Sequence, residues 1–271
     1  MSENATTTKG RNWLIIGIAA GVVSLLLAAF MVIDYATSSG RNETTTPPAT
    51  TAPSGEALAG ITVGSGGTKT GADGVTKIGY TGTCDSAVQA ATNYYKSTTD
   101  VYQVSDEKKI ALINQVVLPG PTKDALLDDA HKRLAALKTP EGKAVAKGFT
   151  QTTHVEWGGS YKITDCTPER TAVVQVLGCL ATTFDTPTET PVIDCRPDIV
   201  RLLWSNGDWK VVSLHDAVPG VVLNVTTSIT GWKPSPKNMP MPAATRDAYL
   251  LNAATGIKDG GWVDYAGITR K

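Results

Sequence analysis

The hydrophobic and polar positions of this chain fall into distinct regimes. The first is an unbroken apolar run. Trp13 to Ile33 reads WLIIGIAAGVVSLLLAAFMVI, uncharged, with Ser24 its one polar residue. At about 1.5 Å per helical residue, roughly 20 such residues span a bilayer core. A soluble helix would show a polar face, and this run has none. A cleaved signal peptide has a shorter apolar core, about 7–15 residues, before small residues. Here the run ends in Asp34-Tyr35-Ala36-Thr37. The pattern therefore predicts a transmembrane helix over 13–33. Lys9 and Arg11 precede it and Asp34 follows it, which places residues 1–12 as a cytoplasmic head and the remainder outside. Residues 34–79, dominated by Thr, Ser, Gly, Pro and Ala, bury too little apolar surface to offset chain entropy. They read as a disordered stalk.

A helical period then sets in, and residues 80–216 read as one extracytoplasmic domain. Ala87, Val88, Ala91, Tyr94, Tyr95 and Thr98 recur at helical spacing behind Asp85 or Ser86 as cap. A second helix follows Ser105, with Ile110, Ile113, Val116 and Val117 on one face, and Pro119-Gly120-Pro121 ends it. Thr122 is placed to cap a third. Its stripe is Leu126, Leu127, Ala130, Leu134 and Leu137, with Asp128, Asp129, Lys132 and Arg133 off it. Thr139-Pro140-Glu141 opens a short fourth helix that fades at Gly148.

From Thr153 the period becomes two. Thr153, Val155 and Trp157 alternate with His154 and Glu156, and Tyr161 and Ile163 continue beyond a Gly158-Gly159 bend. Thr171 to Phe184 is apolar on both faces and reads as a central strand. Val192 to Ser205 returns after the polar loop 185–191, interrupted by Pro197. Asn206-Gly207 suits a two-residue type I′ hairpin turn. Pairing outward from it sets Ser205 opposite Asp208, Trp204 opposite Trp209, Leu202 opposite Val211 and Val200 opposite Ser213. Residues 217–271 read as a C-terminal extension. Val221 to Val225 suits a strand, Lys233 to Pro242 an extended Pro-rich stretch and Thr245 to Ala254 a short helix. Trp262 and Tyr265 point to a tail that docks. The fold class expected is α+β, with helices packed on a curved, cone-like antiparallel sheet behind one transmembrane helix and a flexible stalk.

Charge and cysteines narrow the function. The chain carries 25 basic and 25 acidic residues, net zero, so it has no electrostatic case for nucleic acid. Cys84, Cys166, Cys179 and Cys195 all follow the apolar run, and an even number in an oxidising compartment favours disulfides. Closing a hairpin over 185–191 brings Cys179 and Cys195 within about two positions of register. That favours Cys179–Cys195 and, by elimination, Cys84–Cys166. No C-x-x-C occurs and His131, His154 and His215 are scattered, so no metal site is expected.

The motifs G-x-S-x-G, H-E-x-x-H and G-x-x-x-x-G-K-[ST] are all missing from the sequence. Asp128-Asp129 beside His131 reads as a solvated helix face, because adjacent helical residues point apart. His154 and Glu156 share a strand face, either in a sheet concavity or on the solvent side. Trp157, Trp204 and Trp209 either line a ligand pocket or fill the sheet core. The expectation is a protein without catalytic residues, cofactor or metal, and not an enzyme.

Helices followed by an antiparallel sheet that closes in W-x-x-G-D-W resemble the nuclear transport factor 2-like cone fold. The likeness covers about 84–215 and rests on the opening CDSAVQAATNYY and the closing VRLLWSNGDWKVVSL. With the anchor and stalk, the layout is similar to actinobacterial membrane proteins of conjugative elements and to the bitopic scaffold subunit of type IV secretion systems. The resemblance implies a scaffold or assembly role at the cell membrane, with other envelope proteins or further copies of the chain as partners. The alternative is a ligand-binding or enzymatic cone, since fold does not fix function. A cell-wall-binding module rests on the stalk alone.

Overall fold

Thr83 starts the helical layer. The computed structural model describes residues 60–101, 103–184, 192–217 and 260–266, all within the compact unit Thr50–Lys271. The expected span Trp13–Ile33, the head, the loop 185–191 and the elements expected within 218–259 lie outside the described residues. Among those described, no helix is long and apolar enough to cross a membrane.

Helix α1 (Cys84–Thr99) is capped by Thr83, in extended conformation, whose side chain accepts from the Ser86 amide. Asp85 and Ser86, expected as caps, are already helical. Helix α2 (Asp106–Val116) is capped by Ser105. Helix α3 (Pro121–Ala136) starts at Gly120 with Pro121 in its first turn, not at Thr122. Proline lacks the N–H that a first helical residue leaves unused, so Pro119-Gly120-Pro121 ends one helix and begins the next. Helix α4 (Pro140–Gly148) is capped by Thr139, as the pattern predicts.

The helices lie against an antiparallel sheet of β3 (Phe149–His154), β4 (Ser160–Thr167), β5 (Thr171–Phe184), β6 (Val192–Ser205), β7 (Asp208–Ala217) and β8 (Val263–Asp264). The strand order is β7-β6-β5-β4-β8, and β3 pairs with the other half of the β5 edge. Strand β5 is central, as its two apolar faces require. Even-numbered Ala172, Val174 and Val176 enter the main core with α1 and α2. Odd-numbered Leu177, Cys179 and Ala181 enter a second cluster with Trp157, Ile193 and Cys195. Alternate strand residues face opposite ways, so the second cluster lies on the other face of the sheet. Pro197 sits on β6 just beyond Asp198, the last residue paired with β7.

The Asn206-Gly207 hairpin forms as read. Ser205 faces Asp208, Trp204 faces Trp209 and Leu202 faces Val211. Asn206 and Gly207 both adopt positive φ, 56° and 73°. Further out the register departs: Ser213 faces Arg201, not Val200, because irregularities on both sides of Arg201 shift the ladder. The alternation expected through Trp157 ends earlier. His154 closes β3, and residues 155–158 form a turn.

The domain extends beyond residues 80–216 at both ends. The last twenty residues of the expected stalk, 60–79, are ordered. They form the hairpin β1 (Lys69–Thr70) and β2 (Lys77–Ile78). The buried Asp73 carboxylate ties its turn, accepting from the Val75 and Thr76 amides and the Thr76 hydroxyl. Several glycines of this stretch take positive φ, so composition typical of disorder here serves tight turns. Ile61 and Val63 pack on the core. At the other end, residues 260–266 are part of the domain. Strand β8 pairs with β4, Ser160 facing Asp264 and Tyr161 facing Val263.

Both expected disulfides are present. Cys84–Cys166 staples the start of α1 to β4, with Cα atoms 6.0 Å apart. Cys179–Cys195 joins directly opposed residues of β5 and β6.

Candidate functional site

The three tryptophans do not converge. Trp209 has no exposed surface. Its indole N–H donates to the Thr81 carbonyl at 2.9 Å. Its ring meets Trp204 edge-on, centroids 5.3 Å apart. Both belong to the main core, with Leu202 and Val211. Trp157 lies in the second cluster, on the opposite face of the sheet. The three therefore line no common pocket.

Trp157 has another partner. His154 stacks on it, rings 3.5 Å apart and within 3° of parallel. His154 Nδ1 meets Glu156 Oε1 at 2.8 Å, and Lys96 of α1 stands 3.6 Å from Glu156 Oε2. Burial works to raise the Glu156 pKa, but the His154 bond and the Lys96 charge outweigh it and hold the carboxyl below its usual range. His154 is opposite Cys179 in register, and Cys179 belongs to the second cluster. The His154 ring therefore lies on that side of the sheet, while Glu156, in the turn 155–158, reaches Lys96 of α1. Asp128, Asp129 and His131 also fail to converge. Asp128 pairs with Lys132 in solvent, Asp129 pairs with Arg133, and His131 is exposed.

The interior holds charged groups that the sequence pattern assigns to the surface. Arg133 donates from Nε to Asp106 Oδ1 at 2.8 Å, and both side chains are buried. Lys109 is buried too, its ammonium donating to the Asp100 carbonyl. Burial, reinforced by the Arg133 charge, lowers its pKa to about 8. The Asp100 carboxylate accepts from the Thr153 amide at 2.6 Å. Burial dominates there and raises its pKa. A signal for both cations exists in the sequence: Lys109, Leu112, Ile113 and Val116 share one helical face, and Arg133 follows Leu126 and Ala130 on another.

Two further carboxylates serve the main core. Asp198 accepts from the Tyr95 hydroxyl at 2.6 Å. Asp208 accepts from the Tyr80 and Trp209 amides and from Lys210. Tyr80 is pushed up to about 12, first by burial and then by the Asp208 charge, against the Asn93 bond. Among the described residues, no three His, Cys, Asp or Glu side chains are grouped to hold a metal ion. Searches of family models, curated proteins and solved structures find no match to this chain.

Proposed function

We propose that this chain is a membrane-anchored envelope protein whose outer domain acts without catalysis, as a scaffold or assembly component. The reading takes the domain as a nuclear transport factor 2-like cone and the apolar run 13–33 as its anchor. One observation carries it. The side chains that would line the chamber of a ligand-binding cone are used as packing: Trp209 and Leu202 are buried and Trp204 closes over them. The outer side of the terminal hairpin supports the same reading. Leu203 and Val212 are 38% and 45% exposed there, on the face opposite Leu202 and Val211, beside the exposed Arg201. The two disulfides favour an oxidising compartment, in keeping with a domain outside the cytoplasm. Partners of this kind include other proteins of a conjugation- or secretion-like assembly.

The test is crosslinking of the full chain in its native membrane, followed by capture and identification of partners. Stoichiometric recovery of envelope proteins, lost on Leu203→Asp/Val212→Asp, supports the scaffold. Recovery of a bound small molecule, lost on Tyr95→Phe or Asp198→Asn, supports instead an enzymatic or ligand-binding cone. The Tyr95–Asp198 hydrogen bond is the observation that favours this second reading.

A further inference from the structure

The segment 260–266 is held as a bound peptide is held. It adds the two-residue strand β8 to the edge of β4. Its side chains dock on both sides of the sheet. Tyr265 enters the main core, its hydroxyl 3.0 Å from Thr92 Oγ1 and its ring 5.2 Å from Tyr161. Trp262 packs on the second cluster. Between them Asp264 accepts from the Ser160 hydroxyl at 2.9 Å. The Ala266 amide donates to the Ile61 carbonyl at 2.8 Å. The groove closes on the peptide so tightly at Gly60 that a Cβ there would lie 2.4 Å from the Asp264 carbonyl oxygen. Main-chain pairing on a sheet edge with side-chain slots on alternate faces is how extended peptides are recognised.

Nothing in this set of contacts depends on which chain supplies the peptide. Strand β7 ends at Ala217, and forty-two residues, 218–259, separate it from Gly260. Fully extended they reach up to about 140 Å, and β7 and β8 lie at opposite edges of the sheet. Exchange of an identical element between copies keeps every contact and is a low-cost route to association. We propose that the edge of β4 is a peptide-binding groove that accepts Trp262–Tyr265 from a second copy of this chain, so that copies associate by reciprocal tail exchange. The chemistry rests on the groove. The concentration it needs rests on the anchored reading above, because a tether of this kind favours its own tail until neighbours reach about millimolar effective concentration.

The experiment pairs two full-length chains co-expressed in one cell, one carrying Ser160→Cys and the other Asp264→Cys. Mild oxidation traps exchanged tails, and peptide mass mapping identifies the crosslink. The expected result is an inter-chain product of twice the 28.5 kDa chain mass, joined at positions 160 and 264. Tyr265→Ala in the Asp264→Cys chain should lower its yield about tenfold, as loss of a buried aromatic anchor does. A chain carrying both cysteines reports the closed form. If it crosslinks only within itself and the mixed chains give no product, exchange is overturned while the scaffold reading stands. If it does not crosslink at all, the groove itself is refuted.

Discussion

Arg133 and Asp106 pair at 2.8 Å between α3 and α2, 7% and 4% exposed. Two buried charges gain from each other roughly what they lose in hydration, but one left alone is costly. Asp106→Ala leaves the buried Arg133 with the half-exposed Asp129 as its remaining carboxylate, and is expected to destabilise the domain by about 1–3 kcal/mol. The double replacement Asp106→Leu/Arg133→Met should restore most of that loss. Chemical denaturation of the three chains measures both.

The two disulfides close loops of very different length, 82 and 16 residues of separation. By loop-closure entropy, loss of Cys84–Cys166 should cost about 4.5 kcal/mol and loss of Cys179–Cys195 about 3 kcal/mol. Paired Cys→Ala variants, compared by denaturant midpoint at equal slope, check the order. Equal losses would mean that packing around Cys179, not chain entropy, dominates.

Lys109 gives the fold a signature in alkaline solution. Its pKa falls to about 8 in the folded state, against about 10.4 for a free lysine. Between those values the unfolded chain binds more protons than the folded one. Stability must therefore rise with pH from about 8 towards 10. Tyr80, raised to about 12, acts oppositely, and only above about 10. Stability measured from pH 7.5 to 9.5 should climb in the natural chain and stay flat in Lys109→Met.

Gly207 takes φ 73° at the turn that aligns Trp204 with Trp209. Gly207→Val forces a β-branched residue into a left-handed conformation and should cost about 1–2 kcal/mol. Trp209→Ala, which empties a core site, should cost about 3–5 kcal/mol. Thermal unfolding ranks the two, and near-ultraviolet circular dichroism should lose the paired-indole signal only in the second.

Local chemistry made part of this fold legible. Asn206-Gly207 sets the hairpin register because few residues other than these accept positive φ at both central positions. Thr139-Pro140 and Ser105 mark helix starts by the hydrogen bonds they make. The apolar faces of Thr171–Phe184 identify the central strand, and its return brings Cys179 opposite Cys195. Long-range partners escaped the pattern. Lys109 and Arg133 look like surface cations until Asp100 and Asp106 come alongside. Trp157 looks like a partner of Trp204 until β5 divides its residues between two faces. The glycines of 60–79 resemble a linker because their turns have meaning only against α1 and α2, where the Gly64 amide meets Asn93 and the Ala72 amide meets Gln115.

The staple between Cys84 and Cys166 also determines how this domain answers tension. A pull entering from the N-terminal side of Gly60 first meets the Ile61–Ala266 bond and the small hairpin of β1 and β2. Those residues peel away, paying out about 80 Å of chain. Between Cys84 and Cys166 extension is then barred by a covalent link. The 82-residue separation between the two cysteines, about 280 Å of contour, is shunted, and the load passes directly from the start of α1 into β4. A pull from this side therefore cannot lengthen α1 to α4 or β3 while the disulfide is intact.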